Sequence, residues 1–150
     1  MEAVVFVGLQ ASGKSSFYKE RFFNSHVRIS LDLLKTRHRE TRTLDICLET
    51  DQRFVIDNTN PTRAERSRFM EPVKAARVRY TISGYYFESR VEDCLRRNAQ
   101  RPESERVPHV AILSVARKLE LPSLDEGFDQ LFYVRLTEAG FVVEEWKDEV

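Results

Sequence analysis

"VGLQASGKSS", residues 7–16, decides the fold. Gly8, Gly13, Lys14 and Ser15 stand at the spacing G-x-x-x-x-G-K-[ST]. Glycines let the backbone double back so that its N–H groups face one point. A helix starting near Gly13 aims its positive end at the same point. Such a loop holds phosphate, and the residues that line it are Gly8, Gln10, Ala11, Ser12, Gly13, Lys14, Ser15 and Ser16. Lys14 supplies the cation for the outer phosphates. The Ser15 hydroxyl is a hard oxygen ligand suited to Mg²⁺.

The flanking sequence supplies the context this motif needs. "AVVFVG" (3–8) is a Val-rich apolar run ending at glycine, the pattern of a fully buried parallel strand. A helix follows to about residue 24. "HVRIS" (26–30) and "RFVID" (53–57) read as further strands, with a helical stretch from residue 31 to about 50 between them. After the turn "NTNP", a helix with Pro61 in its first turn runs to about residue 76. "RYTISGYYFE" (79–88) is a strand, residues 90–101 are helical, and "PESERVP" (102–108) is a polar, mobile loop. A helix at 109–120 and a strand at 127–136 follow, and "GFVVEEW" offers a short edge strand. Alternating strands and helices predict an α/β three-layer sandwich in one domain, residues 1–150. Its central parallel sheet has about five strands, and a helical lid covers about 90–108. Ligands sit beyond the carboxyl ends of such strands.

Composition excludes several classes. No apolar run approaches the ~20 residues of a membrane span. Cys47 and Cys94 stand alone, with no metal or disulfide spacing, which fits a reducing cytoplasm. The N-terminus has no signal-peptide pattern, and no obligate protein partner is evident. His26, His38 and His109 lack metal spacing and read as structural, and Tyr18 and Phe22 read as core. Formal net charge is zero, yet Lys and Arg outnumber Asp and Glu by five in residues 1–110, and the tail carries the opposite excess. Arg outnumbers Lys 18 to 6. Arginine forks suit phosphate oxygens, but a solvated surface explains the same excess. Zero net charge argues against broad coating of nucleic acid.

Chemistry then narrows the class. Asp57 ends a buried strand, where a carboxylate supports Mg²⁺ through water; it could also cap the following helix. Asn58 follows instead of the glutamate that motor ATPases use to activate water, and no guanine-reading N/T-K-x-D is present. A phosphotransferase remains, in which a bound hydroxyl attacks. Asp32, just past the second strand, is placed to take that hydroxyl's proton, or else to cap a helix. Arg97 and Arg101 lie four apart on one helix face, as a lid over the phosphates requires. A solvated arginine face is the alternative.

Together these residues resemble the kinase domain of polynucleotide 5′-hydroxyl kinases, within the adenylate-kinase-like P-loop kinases. The likeness runs in order from Gly8 to Pro108. It implies the strand order 2-3-1-4-5, ATP as donor and Mg²⁺ as metal. "RISLDLLK" puts Asp32 on the family's general base and Lys35 where the family has an arginine for the acceptor's phosphate. "DNTNP" (57–61) is similar to the segment after the third strand, and "RRNAQR" followed by "VP" looks like the lid helix. Thr59, Asn60 and Arg63 join Lys35 as expected acceptor contacts. The expected substrate is a nucleic-acid 5′ end. A kinase for a small hydroxyl (sugar, nucleoside or antibiotic) and a non-catalytic ATP-binding module are the other readings.

Overall fold

The computed structural model describes residues 1–147. Strand β1 (Glu2–Val7) sits at the centre of a six-stranded sheet. Around it run β2 (Val27–Ile29), β3 (Phe54–Ile56), β4 (Thr81–Phe87), β5 (Gln130–Thr137) and β6 (Gly140–Glu145), in the order β2-β3-β1-β4-β5-β6. The first five are parallel in the expected order, and β6 adds an antiparallel edge. Register is set at the centre, where Val5 lies opposite both Ile56 and Gly84.

Alternation along β1 builds the two faces. Ala3 and Val5 point into one core with Leu44, Cys47, Phe69, Met70 and Val73. These belong to α3 (Arg37–Glu49) and α4 (Arg63–Lys74). Val4 and Phe6 point into the other, against Phe17, Tyr18 and Phe22 of α1 (Lys14–Arg21) and its end. Tyr18 and Phe22 are thus core, and the Tyr18 hydroxyl donates to the His26 carbonyl at 2.6 Å. A third cluster of Leu9, Cys94 and Ile112 joins α5 (Val91–Gln100) and α6 (His109–Lys118) to the phosphate loop.

Local chemistry corrects three sequence expectations. The single helix expected over 31–50 is two: α2 (Leu31–Leu34) and α3. Ser30 caps the first and Thr36 the second, and Lys35 between them takes a left-handed φ of 72°. Pro61 precedes α4 rather than opening it, because the Thr62 side chain caps the Glu65 N–H at 3.1 Å. The loop at 102–108 contains a 3₁₀ turn at Glu103–Glu105. Its base is clasped by buried Asn98, which donates to the Val107 carbonyl at 2.7 Å and accepts from the Val107 N–H at 3.1 Å.

Part of the charge asymmetry is met by pairs between the basic stretch and the acidic tail. Among the described residues, eleven of the eighteen arginines are in salt bridges. Several join body to tail, including Arg63–Asp125, Arg66–Glu126 and Arg79–Asp129. Arg97 and Arg101 are outside that paired set. No helix among the described residues is long and apolar enough to cross a membrane. Both cysteines are free and buried.

Candidate active site

The loop between β1 and α1 is built to close approach. A Cβ on Gly8 would come within 2.9 Å of the Ser12 hydroxyl and 3.0 Å of Phe87 Cβ. Gly13 takes a φ of 104°, which side chains disfavour. Ala11 is left-handed at φ 63°, a conformation that costs an L-residue about 1–2 kcal/mol. Arg97 meets this turn, its Nη1 donating to the Ala11 carbonyl at 3.3 Å. Outside bonds fix the loop's entry: the Gly8 N–H donates to the Thr59 carbonyl and the Leu9 N–H to Ser89 Oγ, both at 3.0 Å.

Polar groups inside the loop suit an anion. Gly13, the N-cap of α1, offers no side-chain cap, so the first N–H groups of that helix are open to a ligand. Ser12 Oγ and Gln10 Oε1 are buried with no hydrogen-bond partner among the described residues. Ser16 is exposed at the first turn. Lys14 is buried, and its ammonium donates to the carbonyls of Gly8 at 3.0 Å and Leu9 at 2.7 Å.

Burial and the charges of nearby groups both act on Lys14. Burial pushes its ammonium down to about 8, and Asp57, Cys94, Arg101 and Asp32 all act on it through charge. Asp32 lies on α2, and Arg101 follows the end of α5 in extended conformation, so, contrary to the expectation from spacing, it does not share a helix face with Arg97. Phosphate binding needs the Lys14 cation, and its bound form takes up a proton wherever free Lys14 is neutral. Nucleotide affinity is expected to fall about tenfold per pH unit above 8. Titration calorimetry at pH 7 and 9, in two buffers of different ionisation enthalpy, checks this. A constant Kd with no proton uptake contradicts it.

Ser15 and Asp57 meet beneath the loop. Ser15 Oγ donates to Asp57 Oδ2 at 3.2 Å, and Asp57 is buried. These oxygens fit Mg²⁺, which takes one or two protein oxygens beside water and phosphate. Among the described residues no cluster of three or more His, Cys, Asp or Glu could hold a metal. Asp57 is not a helix cap, since Thr62 does that work. Sequence reading missed Arg28. Its Nε donates to Asp57 Oδ2 at 2.8 Å and its Nη2 to Ser15 Oγ at 3.0 Å. The available signal was a polar residue inside a short strand of a buried sheet.

Asp32 is exposed on α2, and the cap of that helix is Ser30, whose side chain accepts from the Asp32 N–H at 3.2 Å. Lys35 is exposed beside it. Two of the other expected acceptor contacts have partners elsewhere. Asn60 is buried, and its Nδ2 donates to the Phe6 carbonyl at 2.7 Å. Arg63 pairs with Asp125 at 2.9 Å. Thr59 contributes its backbone carbonyl to the loop. The structure brings Lys14, Ser15, Asp57 and Arg97 to the loop, and it engages Asn60 and Arg63 with other partners.

A mostly parallel sheet, a phosphate loop at its first turn and a carboxylate bonded to that loop's serine define a P-loop nucleotide-binding domain of kinase-like build. Residues 4–122 match the model of the family described as AAA domain, and the chain belongs to that family. The bifunctional polynucleotide phosphatase/kinase of Schizosaccharomyces pombe (strain 972) is 28% identical over 131 residues. The match covers 85% of this chain and 32% of that protein, so the chain spans about a third of its length. A sugar kinase from Janibacter sp. HTCC2649 shares the fold with a TM-score of 0.69 at 15% identity, over 90% of this chain and 85% of its own. Kti12 of Chaetomium thermophilum, in complex with ADP-AlF3, shares it at 0.65 and 17% identity, over 91% and 92%.

Proposed function

We propose that this chain is an ATP-dependent kinase that moves the γ-phosphoryl group to the 5′-hydroxyl of a polynucleotide. The observation that carries the reading is the phosphate loop with buried Lys14 bonded to its carbonyls and Ser15 bonded to Asp57, next to a second carboxylate, Asp32, exposed on α2 just past the second strand. An ATP-binding module without transfer has no need of a carboxylate at Asp32. The sequence likeness to a polynucleotide phosphatase/kinase supports the acceptor.

The roles follow from position. The loop amides, Ser12 and Lys14 hold the phosphates. Ser15 and Asp57 would hold Mg²⁺, which offsets charge on the phosphate oxygens when bound. Asp32 accepts the proton of the attacking hydroxyl as its oxygen bonds to the γ-phosphorus. The bond from that phosphorus to the β–γ bridging oxygen breaks, and ADP leaves. Arg97 and Arg101 stabilise charge spread over the transferring oxygens. Lys35 draws the acceptor's phosphate as a point charge. Buried, unpaired thiols fit a cytoplasmic setting.

Neutral net charge and the shared fold of a sugar kinase favour a second reading, a small hydroxyl as acceptor on the same machinery. One assay separates them. The chain is incubated with γ-labelled ATP and a panel of 5′-hydroxyl RNA, 5′-hydroxyl DNA, nucleosides and sugars. Label is expected on the oligonucleotide 5′ ends. Label on a sugar or nucleoside alone moves the reading to the small-molecule class, and tight ATP binding with no labelled acceptor removes the kinase reading.

A further inference from the structure

Helix α2 carries Asp32, yet it is a single turn with no fully buried residue. Its contact with the main core is the half-buried Leu34. Ser30 satisfies the helix from within: its side chain accepts from the Asp32 N–H, and its carbonyl accepts from the N–H groups of Leu33 at 3.2 Å and Leu34 at 2.8 Å. Those bonds shape the turn but leave its place relative to the phosphate loop unset.

A half-buried polar relay ties it to α3 and to the end of β3. The remaining first-turn amide, the Leu31 N–H, donates to Asn58 Oδ1 at 2.9 Å. Asn58 Nδ2 donates onward to Glu40 Oε2 at 2.7 Å. Glu40, on α3, is 1% exposed, and its other oxygen accepts from Arg37 Nη1 at 2.8 Å. Burying a carboxylate is costly unless its oxygens are all partnered, and here each has a partner. Asn58 directly follows Asp57. One side chain therefore ties the strand end that bears the metal-side carboxylate to the helix that bears Asp32.

We infer that Asn58 and Glu40 are positioning residues that hold Asp32 at its working distance from the phosphate loop, an inference that rests on the kinase reading above. Their side-chain polar atoms are bonded to Leu31, to each other and to Arg37, so they act through Asp32. The amide of Asn58 is the choice that serves here because it accepts from α2 and donates to α3 at once. An aspartate would repel Glu40, and a serine or alanine would break the span.

The test combines rate, binding and exchange. Asn58→Ala is expected to lower kcat about 10- to 100-fold, as small misplacements of a catalytic group do. The Kd for a fluorescent ATP analogue should stay within about twofold of wild type, and the Leu31 amide should exchange with D₂O at least about tenfold faster. In an Asp32→Asn background, Asn58→Ala should add no further loss of rate, because the relay acts through Asp32. Glu40→Gln, which still offers Asn58 an acceptor, should restore most of what Glu40→Leu removes. Unchanged Leu31 protection and kcat in Asn58→Ala overturn the inference. So does an equal loss of rate with and without Asp32. If Asn58→Ala fails to fold, Asn58→Asp, which keeps the acceptor for Leu31, is measured against Glu40→Leu by the same readouts. Should Asp32→Asn turn over normally, the kinase base is refuted, while the Leu31 exchange rate still judges the relay.

Discussion

Asp32→Asn is expected to lower phosphoryl transfer by about 10²–10⁴, the usual contribution of a positioned general base, while ATP still binds. The substitution is clean in this fold. Asp32 is exposed, and the amide that caps α2 is served by Ser30, so the asparagine leaves the helix intact. What it removes is the group able to take the acceptor's proton, together with one of the charges that acts on Lys14. Lys14→Ala behaves differently: it weakens nucleotide binding and transfer together, since its ammonium is needed in the ground state. Single-turnover transfer and equilibrium binding, measured side by side, separate the two. Wild-type turnover by the Asp32→Asn chain would show that the proton goes elsewhere.

Glu126→Ala is expected to cost about 3–5 kcal/mol of stability, because it strands a buried guanidinium. Arg66 is fully buried, and its Nε and Nη2 donate to the two carboxylate oxygens of Glu126 at 2.8 and 3.1 Å. Its Nη1 also donates to the carbonyls of Asn60 at 2.9 Å and Glu120 at 3.1 Å. Glu126 in turn closes a capping box with Ser123. For a domain of this size each kcal/mol moves Tm by roughly 2–4 °C, so the melting point should drop by roughly 10 °C. The damage should reach the site as well. Asn60 has a left-handed φ of 44°, and its side chain bonds the carbonyl of Phe6, two residues before Gly8. Arg66→Met with Glu126→Leu should recover much of the loss, as apolar replacements of buried pairs do. A calorimetric melt of Glu126→Ala within 2 °C of wild type would show the pair to be dispensable.

How far the site could be read in advance depended on distance along the chain. Gly8, Gly13, Lys14 and Ser15 lie within one turn and one helix start, and their spacing carries its own geometry. Asp57 stood out as a carboxylate ending an apolar strand, with metal support and helix capping both open to it; the structure gives the cap to Thr62 and bonds Asp57 to Ser15. Arg28 was not legible, since its partner Asp57 lies 29 residues away and meets it only through the β2–β3 register. Asn58 and Glu40 are 18 apart and join only when α3 folds back on the sheet. Arg63 was expected at the acceptor and instead found Asp125, 62 residues on.

The sequence by itself determined the alternation of strands and helices and the phosphate loop, because hydrophobic period and glycine spacing are local physical signals, while the strand order was implied by the family resemblance. Tertiary structure alone decided which polar groups became site and which became scaffold. That choice turns on which carboxylate or carbonyl a long side chain can reach once buried away from water, and such partners are set by the packing of elements far apart in the chain.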